Sequence, residues 1–380
     1  MIYSAFFRYP VAVVMLVAMT LGITMAFAQT DTTTTKQTGA KKKAKATGVA
    51  TVRPLFAADE PLSFTLSAQM QRIVRDRTKP SPKAPVTRHP ARLTYSATPS
   101  DSIVALPLDL VVRGNFRRDA ANCVFPPLYV DFPKKAVKGT LFAKQNKLKL
   151  VTHCREDEYV LREYLVYRLY NQLTDLSFKA RLAQVTYLDS AGKRKPETHL
   201  GILLEDEDDV ASRNNVAVYK NRVKSAFVDS LNMATISVFE YMIGNTDWSV
   251  VYRHNIKMVL DSTMPRPLAV PYDFDHAGLV DARYAKPAEQ LSIESVRERL
   301  YRGPAYPQAM LNRVFARFRA LKPTFYAFYQ NEKRLSPSYI RDTIYYLDAF
   351  YKTIDNPEKA RAAFQSDLDR SIQVRGMNNN

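Results

Sequence analysis

The most informative stretch of this chain runs Ile243-Gly-Asn-Thr-Asp247-Trp-Ser-Val-Val-Tyr-Arg-His254-Asn255 and continues into an apolar segment from Ile256 to Leu260. After a loop it ends with Leu268-Ala-Val-Pro-Tyr272-Asp273-Phe-Asp275-His276-Ala-Gly278. The pattern predicts a polar loop, two short strands joined by a turn, and an acidic tip that is closed by glycine.

Two strands joined in this way would bring polar side chains from both ends of the stretch together. Asp247 and Asn255 would lie near Asp273 and Asp275, so that three carboxylates and one amide share a small volume. Such crowding is costly unless a cation neutralises it, and all-oxygen ligands suit Mg²⁺ or Mn²⁺. We therefore expect a metal–phosphate site with Asn255, Asp273 and Asp275 as the metal ligands. The alternative is that they are ordinary turn residues and a strand cap.

The N-terminus predicts export. Arg8 precedes an uncharged segment that ends in Ala26-Phe27-Ala28, which is the pattern of a secretory signal peptide over residues 1–28. We therefore expect a periplasmic, extracellular or cell-envelope protein. A retained N-terminal membrane anchor is the alternative, because the apolar run is close to spanning length. No later segment of the sequence reaches that length.

The charge balance narrows the expected partners. A formal net charge of +18 favours anionic partners through long-range attraction. An exported protein seldom meets nucleic acid, and the sequence has no zinc-finger spacing, helix-turn-helix or RNA-binding signature. We therefore expect a protein or an anionic envelope polymer as the partner, and no nucleic acid. The sequence leaves the oligomeric state open.

The N-terminal part of the chain has little regular pattern. Residues 29–56 contain a lysine cluster and four consecutive threonines without apolar periodicity, which predicts a disordered basic linker. Residues 57–101 form an extension that we do not place, with a short helical pattern from Leu66 to Val74. Cys123 and Cys154 would either pair outside the cytosol or remain isolated buried thiols.

The remaining chain divides into a strand-rich and a helix-rich part. In residues 102–205, a helix with apolar periodicity from Glu156 to Leu173 lies between strand candidates, whereas residues 206–370 are helical apart from the hairpin described above. The predicted strands are Ile103–Gly114, Cys123–Phe132, Lys147–His153, Ala180–Leu188 and His199–Glu205. The predicted helices of the second part are Val223–Ile243, Ser292–Tyr301, Gln308–Leu321, Pro323–Gln330 and Ser338–Ile354.

This order of elements resembles that of protein kinases, and the chain from about Leu108 to Gly278 resembles the CotH family of atypical, kinase-like spore-coat proteins. The resemblance covers under half of the chain. It implies an α+β, two-lobed protein-kinase-like fold, with an N-terminal strand-rich lobe at 102–205 and a C-terminal helical lobe at 206–370. The matching pieces include Val112-Arg-Gly-Asn115, Leu161-Arg-Glu-Tyr-Leu-Val-Tyr-Arg-Leu169, Gly244-Asn-Thr-Asp247, His254-Asn255 and Tyr272-Asp-Phe-Asp275.

The resemblance also implies an activity, which is the transfer of phosphate from Mg-ATP to a hydroxyl group of a protein or envelope acceptor. Asp247 would orient or deprotonate the acceptor hydroxyl, and Asn255 and Asp273 would hold Mg²⁺ against the phosphates. Lys149, or Lys147 on the same strand face, would neutralise the α- and β-phosphates. These roles match what phosphoryl transfer requires, namely positioning and charge stabilisation.

Further roles follow from the same resemblance. Glu163 would pair with the phosphate-binding lysine, and Glu158 is the alternative. Glu205 would lie at the hinge beside the adenine of ATP. Arg113, in the run Arg113-Gly-Asn-Phe-Arg-Arg118, is the nearest candidate for a phosphate-facing loop.

The chain also departs from the family pattern. Asn255 follows Asp247 by eight residues, where family members usually have five, so three residues must bulge out or Asn255 points elsewhere. Two other functions therefore stand beside the kinase-like one. The chain would be a non-catalytic kinase-fold binding or scaffold protein of the cell envelope, or it would transfer AMP from the same cofactor.

Overall fold

The computed structural model of the chain describes residues 51–78, 85–96 and 102–365. The predicted signal peptide at 1–28 and the predicted linker up to residue 50 lie outside these residues. The last residues of that linker, Pro54–Phe56, form a 3₁₀ helix in which Leu55 and Phe56 are buried. Over the described ranges, no helix combines the length and apolar character needed to cross a membrane.

Seven strands form a closed barrel in the order β1-β2-β3-β4-β5-β7-β6. The pairing of β1 with β6 closes the barrel and is parallel, whereas the other neighbours pair antiparallel. The strands are β1 (Leu62–Ala68), β2 (His89–Tyr95), β3 (Val104–Val112), β4 (Leu128–Asp131), β5 (Lys147–Val151), β6 (Ala180–Asp189) and β7 (Glu197–Leu204).

Alternation along the strands separates the barrel interior from its outer face. On β5, Leu148 and Leu150 are fully buried in the barrel core, whereas Lys147 and Lys149 lie on the other face. Successive side chains of a strand point to opposite faces of the sheet, so an apolar and a basic set share one short strand. Closure of the barrel also leaves no unpaired strand edge.

The second half of the chain combines helices with a small sheet in the order β10-β9-β8. Its core is continuous with the outer face of β6 and β7, because Leu182, Ile202 and Leu204 pack in the same cluster as the helices. The strands are β8 (Ala217–Val218), β9 (Ile256–Leu260) and β10 (Leu268–Pro271). The helices along the described chain are α1 (Met70–Arg75), α2 (Asp157–Leu173), α3 (Glu207–Arg213), α4 (Ser230–Ile243), α5 (Gln308–Gln330), α6 (Pro337–Ile354) and α7 (Pro357–Gln365).

The predicted two-lobed, kinase-like fold is wrong. The chain has a closed, mixed seven-stranded barrel with seven helices in the described residues, and not a strand-rich lobe followed by a helical lobe. Two strands that close the barrel, β1 and β2, come from the extension at 57–101 that the sequence left unplaced. The described part of 206–370 contains the predicted hairpin, and one additional strand, Ala217–Val218, extends it to a three-stranded sheet.

One predicted helix, Ser292–Tyr301, is also absent, and its arginines explain why. The Arg297 guanidinium donates to the carbonyl oxygen of Gly278 at 2.9 Å, and Arg299 donates to the carbonyl oxygens of Met242 and Tyr346 at 3.2 and 2.6 Å. This segment is therefore held by side-chain bonds to the surrounding backbone, and the bond from the N–H of Glu298 to the Ser295 carbonyl closes only a single turn. The two predicted helices between Gln308 and Gln330 form one continuous helix, α5.

The two cysteines, whose pairing the sequence left open, form a disulfide between Cys123 and Cys154. The bond joins the loop after β3 to the chain after β5. The backbone N–H of Val124 donates to the carbonyl oxygen of Cys154 at 2.9 Å and reinforces the link. The loop that carries Arg113 and Arg117 is therefore fastened near its far end.

Candidate active site

A cavity of about 630 Å³ lies where the loops after β3, α4 and β10 meet the outer face of β5. Volumes of this size are typical of small-molecule and cofactor sites. Six of the nine site residues assigned from the sequence line the cavity, and they are Asp247, Asn255, Asp273, Asp275, Lys149 and Arg113. The other three, Lys147, Glu163 and Glu205, do not line it.

The helix α4 ends in a glycine that turns the chain toward the cavity. Gly244 has a φ of +70°, and a side chain there would overlap the hydroxyl group of Tyr346, so conformation and space both require glycine. The Asn245 amide then donates to the buried Glu240 carboxylate at 2.9 Å, and its side-chain oxygen accepts the N–H of Asp247 at 3.0 Å. These bonds fix the backbone at Asp247.

The side chain of Asp247 is held by two neighbours. One carboxylate oxygen lies 2.9 Å from Nε2 of His254, and the Asn255 amide donates to the other oxygen at 3.0 Å and to the Asp247 carbonyl at 2.8 Å. Ser249 and His254 exchange two backbone hydrogen bonds of 2.9 Å, so residues 250–253 loop out. The eight-residue separation therefore still brings Asn255 against Asp247.

The electrostatics keep Asp247 ionised. Burial alone would raise its pKa, but the hydrogen bond from His254 and the nearby His276 outweigh burial and hold the pKa of Asp247 below its ordinary value. Burial likewise opposes protonation of His254, but the bond to Asp247 raises the pKa of that imidazole. The Asp247 side chain is 32 % exposed and faces the cavity. It is therefore available as an anionic hydrogen-bond or proton acceptor.

Unusual backbone conformations cluster beside the cavity. Arg253, Asn255 and Asp273 have φ values of +54°, +51° and +66°, in the left-handed region that costs free energy for residues other than glycine. The N–H of Tyr272 donates to the Asn255 carbonyl at 3.0 Å, and the N–H of Asp273 donates to the Tyr167 hydroxyl at 2.9 Å. These bonds hold the strained backbone of two candidate ligands, Asn255 and Asp273, in place. Strained backbone conformations are common at functional sites.

A buried charge cluster lies behind the cavity. The Arg117 guanidinium lies 3.9 Å from the Glu163 carboxylate and 3.8 Å from that of Asp275, and Tyr284 donates its hydroxyl to Asp275 at 3.1 Å. Burial and the neighbouring carboxylates raise the pKa of both Glu163 and Asp275. Burial opposes the charge of Arg117, but the surrounding acids and Tyr284 outweigh it and raise its pKa. Burial and the neighbouring carboxylates therefore disfavour the ionised forms of these two acids, and Arg117 offsets this only in part.

The structure pairs Glu163 with a different residue from the one expected. Its ion-pair partner is Arg117, and among the described residues Lys149 forms no ion pair with Glu163. The Lys149 ammonium lies 4.1 Å from the ring centroid of Tyr272 instead. Burial first, and then the positive charge of Arg113, lower the pKa of Lys149 to about 7. This lysine is therefore only partly protonated near neutral pH.

The remaining assigned residues lie away from the cavity. Lys147 shares the outer face of β5, but its ammonium lies over the ring of Tyr129 at 4.0 Å. The Glu205 carboxylate accepts from Arg213 at 2.9 Å and from the N–H of Lys179 at 2.9 Å, which is a structural ion pair. Glu158, the alternative to Glu163, pairs with Arg162 one turn along the same helix at 2.8 Å.

Several basic residues of the site were not assigned from the sequence. Two of them, Arg253 and Lys257, lie within two positions of Asn255, which is a local signal that could have found them. Lys220 and Arg222 come from an exposed loop with no such signal, and Arg117 lies in the run whose first arginine was assigned. Seven lysines and arginines line the cavity, and Arg117 among them belongs to the buried charge cluster. We call the other six the basic rim: Arg113, Lys149, Lys220, Arg222, Arg253 and Lys257.

Neither a comparison with models of known protein families nor one with functionally curated proteins finds a match to this chain. The resemblance to the CotH family therefore stays a prediction, and the function has to be argued from the site.

Proposed function

We propose that this protein is a metal-dependent phosphotransferase that transfers phosphate from Mg-ATP to a hydroxyl group of a protein or an envelope polymer. The observation that carries the proposal is the presence of both charge signs in one cavity, which three carboxylates and the six-residue basic rim line together. Carboxylates alone would repel a nucleotide, and basic residues alone would not bind a cation. A metal–triphosphate complex needs both.

The donor atoms fit a hard divalent cation. The carboxylates of Asp273 and Asp275 and the amide oxygen of Asn255 could hold Mg²⁺ or Mn²⁺, because the Asn255 amide nitrogen is already used in bonds to Asp247. Burial and the neighbouring carboxylates raise the pKa of Asp275 and Glu163, and a bound cation would favour their ionised forms. A bound cation would neutralise charge on the transferred phosphate.

The basic rim supplies positive charge for the phosphates of the nucleotide. Lys149 and Arg113 come from β5 and from the end of β3, close to Tyr272 and Tyr129, whose rings pack against them. The pKa of Lys149 lies near 7, so an approaching phosphate would favour its protonated form. Binding of phosphate and protonation of this lysine would therefore support each other.

Asp247 is the group placed to act on the acceptor. The acceptor oxygen forms a bond to the γ-phosphorus as the bond to the departing ADP oxygen breaks, and the hydroxyl proton passes to Asp247. His254 holds the carboxylate at 2.9 Å and keeps it anionic until the proton arrives. The carboxylate then returns the proton to solvent.

A second candidate is a protein that binds the nucleotide and does not transfer phosphate. The observation that favours it is the pairing of Glu163 with Arg117, because among the described residues Lys149 then forms no ion pair with Glu163 and lies over the ring of Tyr272 instead. Transfer of AMP is a third outcome that uses the same cofactor. The label that appears on the acceptor distinguishes these activities.

The experiment incubates the purified chain with Mg²⁺ and ATP labelled on either the α- or the γ-phosphate, with its own hydroxyl groups and a cell-envelope extract as acceptors. We expect covalent γ-label, and about a 10²- to 10⁴-fold slower reaction for Asp247→Asn. The matched control is Asp261→Asn, whose carboxylate accepts from Thr263 in the exposed turn after β9. Covalent α-label would show AMP transfer. Saturable ATP binding without transfer of either label would establish the binding protein.

A further inference from the structure

A second group of metal-ligand side chains lies outside the cavity. One ring nitrogen each of His153 and His199 and a carboxylate oxygen of Asp157 lie within 4.8 Å of one another. None of these three residues lines the cavity of the candidate active site. His153 follows β5, Asp157 is the first residue of α2, and His199 lies on β7, so three segments of the chain meet here.

His153 has the least satisfied side chain of the three. It is 5 % exposed, and its Nδ1 is buried with no hydrogen-bond partner in the part of the chain that the structure describes. A buried polar atom without a partner is costly, and a bound ion or water is a common explanation. Burial, with the nearby His199, lowers the pKa of His153 to about 3, so its ring is in the neutral form that binds metals.

The other two residues are already oriented toward each other. Nδ1 of His199 lies 3.1 Å from Oδ1 of Asp157, and Nε2 of His199 lies 3.8 Å from a carboxylate oxygen of Glu197. In metal sites a histidine commonly turns its second nitrogen toward such a carboxylate. The rings of His153 and His199 stack with centroids 3.6 Å apart. For one ion to be bound by both rings, the partly exposed His199 would have to tilt out of this stack.

We propose that His153, Asp157 and His199 bind a divalent transition-metal ion, for which Zn²⁺ is the best match. Two imidazole nitrogens and one carboxylate oxygen are a ligand set that Zn²⁺ takes, with water in the fourth position. Mg²⁺ prefers oxygen ligands and is not expected to compete. Rings of Phe125 and Tyr187 pack beside His153, with centroids 4.9 and 5.6 Å away, and form an apolar wall.

The bound ion would fasten the N-terminus of α2 to the barrel wall. Asp157 begins the helix that carries Glu163, and His153 precedes Cys154 of the disulfide. Both links lead to the charge cluster behind the cavity, because the disulfide loop carries Arg117 and the helix carries its partner Glu163. The ion therefore stabilises the folded chain by binding it and not the unfolded one.

The test uses the full chain without a polyhistidine tag. Zn²⁺ is titrated in the presence of a competing chelator, and zinc K-edge X-ray absorption identifies the ligands. We expect one zinc ion per chain with two imidazole ligands. We also expect about a 10- to 100-fold or greater loss of affinity in His199→Gln and in Asp157→Asn. The control variant is His89→Gln, because His89 forms a simple pair with Asp76 at 3.0 Å. Its affinity for zinc should be unchanged.

Because His254 and His276 line the cavity, the titration is repeated with His276→Gln, which alters only the candidate active site. Unchanged zinc binding in this variant would show that the zinc lies outside the candidate active site. This test does not depend on whether the proposed phosphotransferase is active. Circular dichroism verifies that each variant is folded. The proposal is overturned if the natural chain shows no zinc with two imidazole ligands, or if folded His199→Gln binds zinc as tightly as the natural chain.

Discussion

The two faces of β5 meet two different environments. Leu148 and Leu150 point into a barrel filled with apolar side chains, whereas Lys149 points into a cavity lined by three carboxylates and five other basic residues of the rim. A small barrel of this kind is filled by its own core and leaves no room for a ligand. We therefore place the proposed binding chemistry on the outer face of the barrel, where loops deliver the charged groups.

The difference is also visible in the hydrogen bonding. Most side chains of the barrel core are apolar and need no partners, although the Tyr187 hydroxyl in that core is also buried without a partner among the described residues. Around the cavity and the charge cluster behind it, Nε of Arg113 and Arg117 and one carboxylate oxygen of Glu163 are buried without partners among the described residues. Natural proteins keep unsatisfied polar groups and unfavourable backbone conformations mainly at functional sites. The strained backbone at Arg253, Asn255 and Asp273 and these unsatisfied atoms support the proposal that the cavity binds a ligand.

The first prediction separates these two roles on adjacent residues of one strand. Leu150→Ala removes fully buried atoms from the barrel core and should lower the free energy of unfolding by about 2–5 kcal/mol, as measured by chemical denaturation. Nucleotide affinity of the folded variant should stay within about twofold, since Leu150 does not line the cavity. A stability loss below about 1 kcal/mol would contradict the assignment of this residue to a tightly packed core.

Lys149→Met is the matching change on the other face. It should weaken nucleotide binding by about 10- to 100-fold, because a charge-assisted contact to phosphate is lost. It should not lower the free energy of unfolding near neutral pH, because burial already disfavours the charged lysine. Calorimetric binding and chemical denaturation of the same sample measure both quantities. Equal affinity in the variant would remove Lys149 from the phosphate site.

The smallest expected effect is a dependence on pH. Between the folded pKa of Lys149, about 7, and the unfolded value of 10.5, the unfolded chain binds the extra proton. Lys149 therefore makes the free energy of unfolding rise with pH in this window. Nucleotide binding should raise the pKa of Lys149 again, so that binding takes up as much as about one proton per chain near pH 8. Calorimetry in buffers of different ionisation enthalpy measures this uptake, which should disappear in Lys149→Met.

Local patterns predicted much of the helical and strand content. The apolar periodicity from Glu156 to Leu173 agrees with α2, and the predicted helix Val223–Ile243 agrees with α4 from Ser230 onward. Such patterns depend on neighbouring residues and so survive without knowledge of the tertiary fold. Barrel closure cannot be predicted from local patterns, because β1 pairs with β6 more than a hundred residues later in the chain. The apolar alternation of β1 also runs directly into α1, which concealed the strand.

In the candidate site, too, local patterns were predictable from the sequence and long-range contacts were not. Asp247, Asn255 and Asp273 lie in turn motifs whose residue types and order the sequence displays, and the structure brings them to one cavity. The partner of Glu163 is Arg117, which comes from a loop fastened by a disulfide, and no spacing rule connects the two. Contacts that depend on the path of a long loop were therefore the ones that sequence reasoning missed.

The central claim is that the cavity binds a nucleotide through a metal ion held by Asp273 and its neighbours. Isothermal titration of the full chain with ATP, with and without Mg²⁺, tests it most directly. We predict saturable binding of one ATP that requires Mg²⁺, is lost in Asp273→Asn, and is retained in Asp261→Asn, whose carboxylate lies in the turn after β9. Binding that is absent at millimolar nucleotide, or that is equal with Asp273→Asn, would contradict the account.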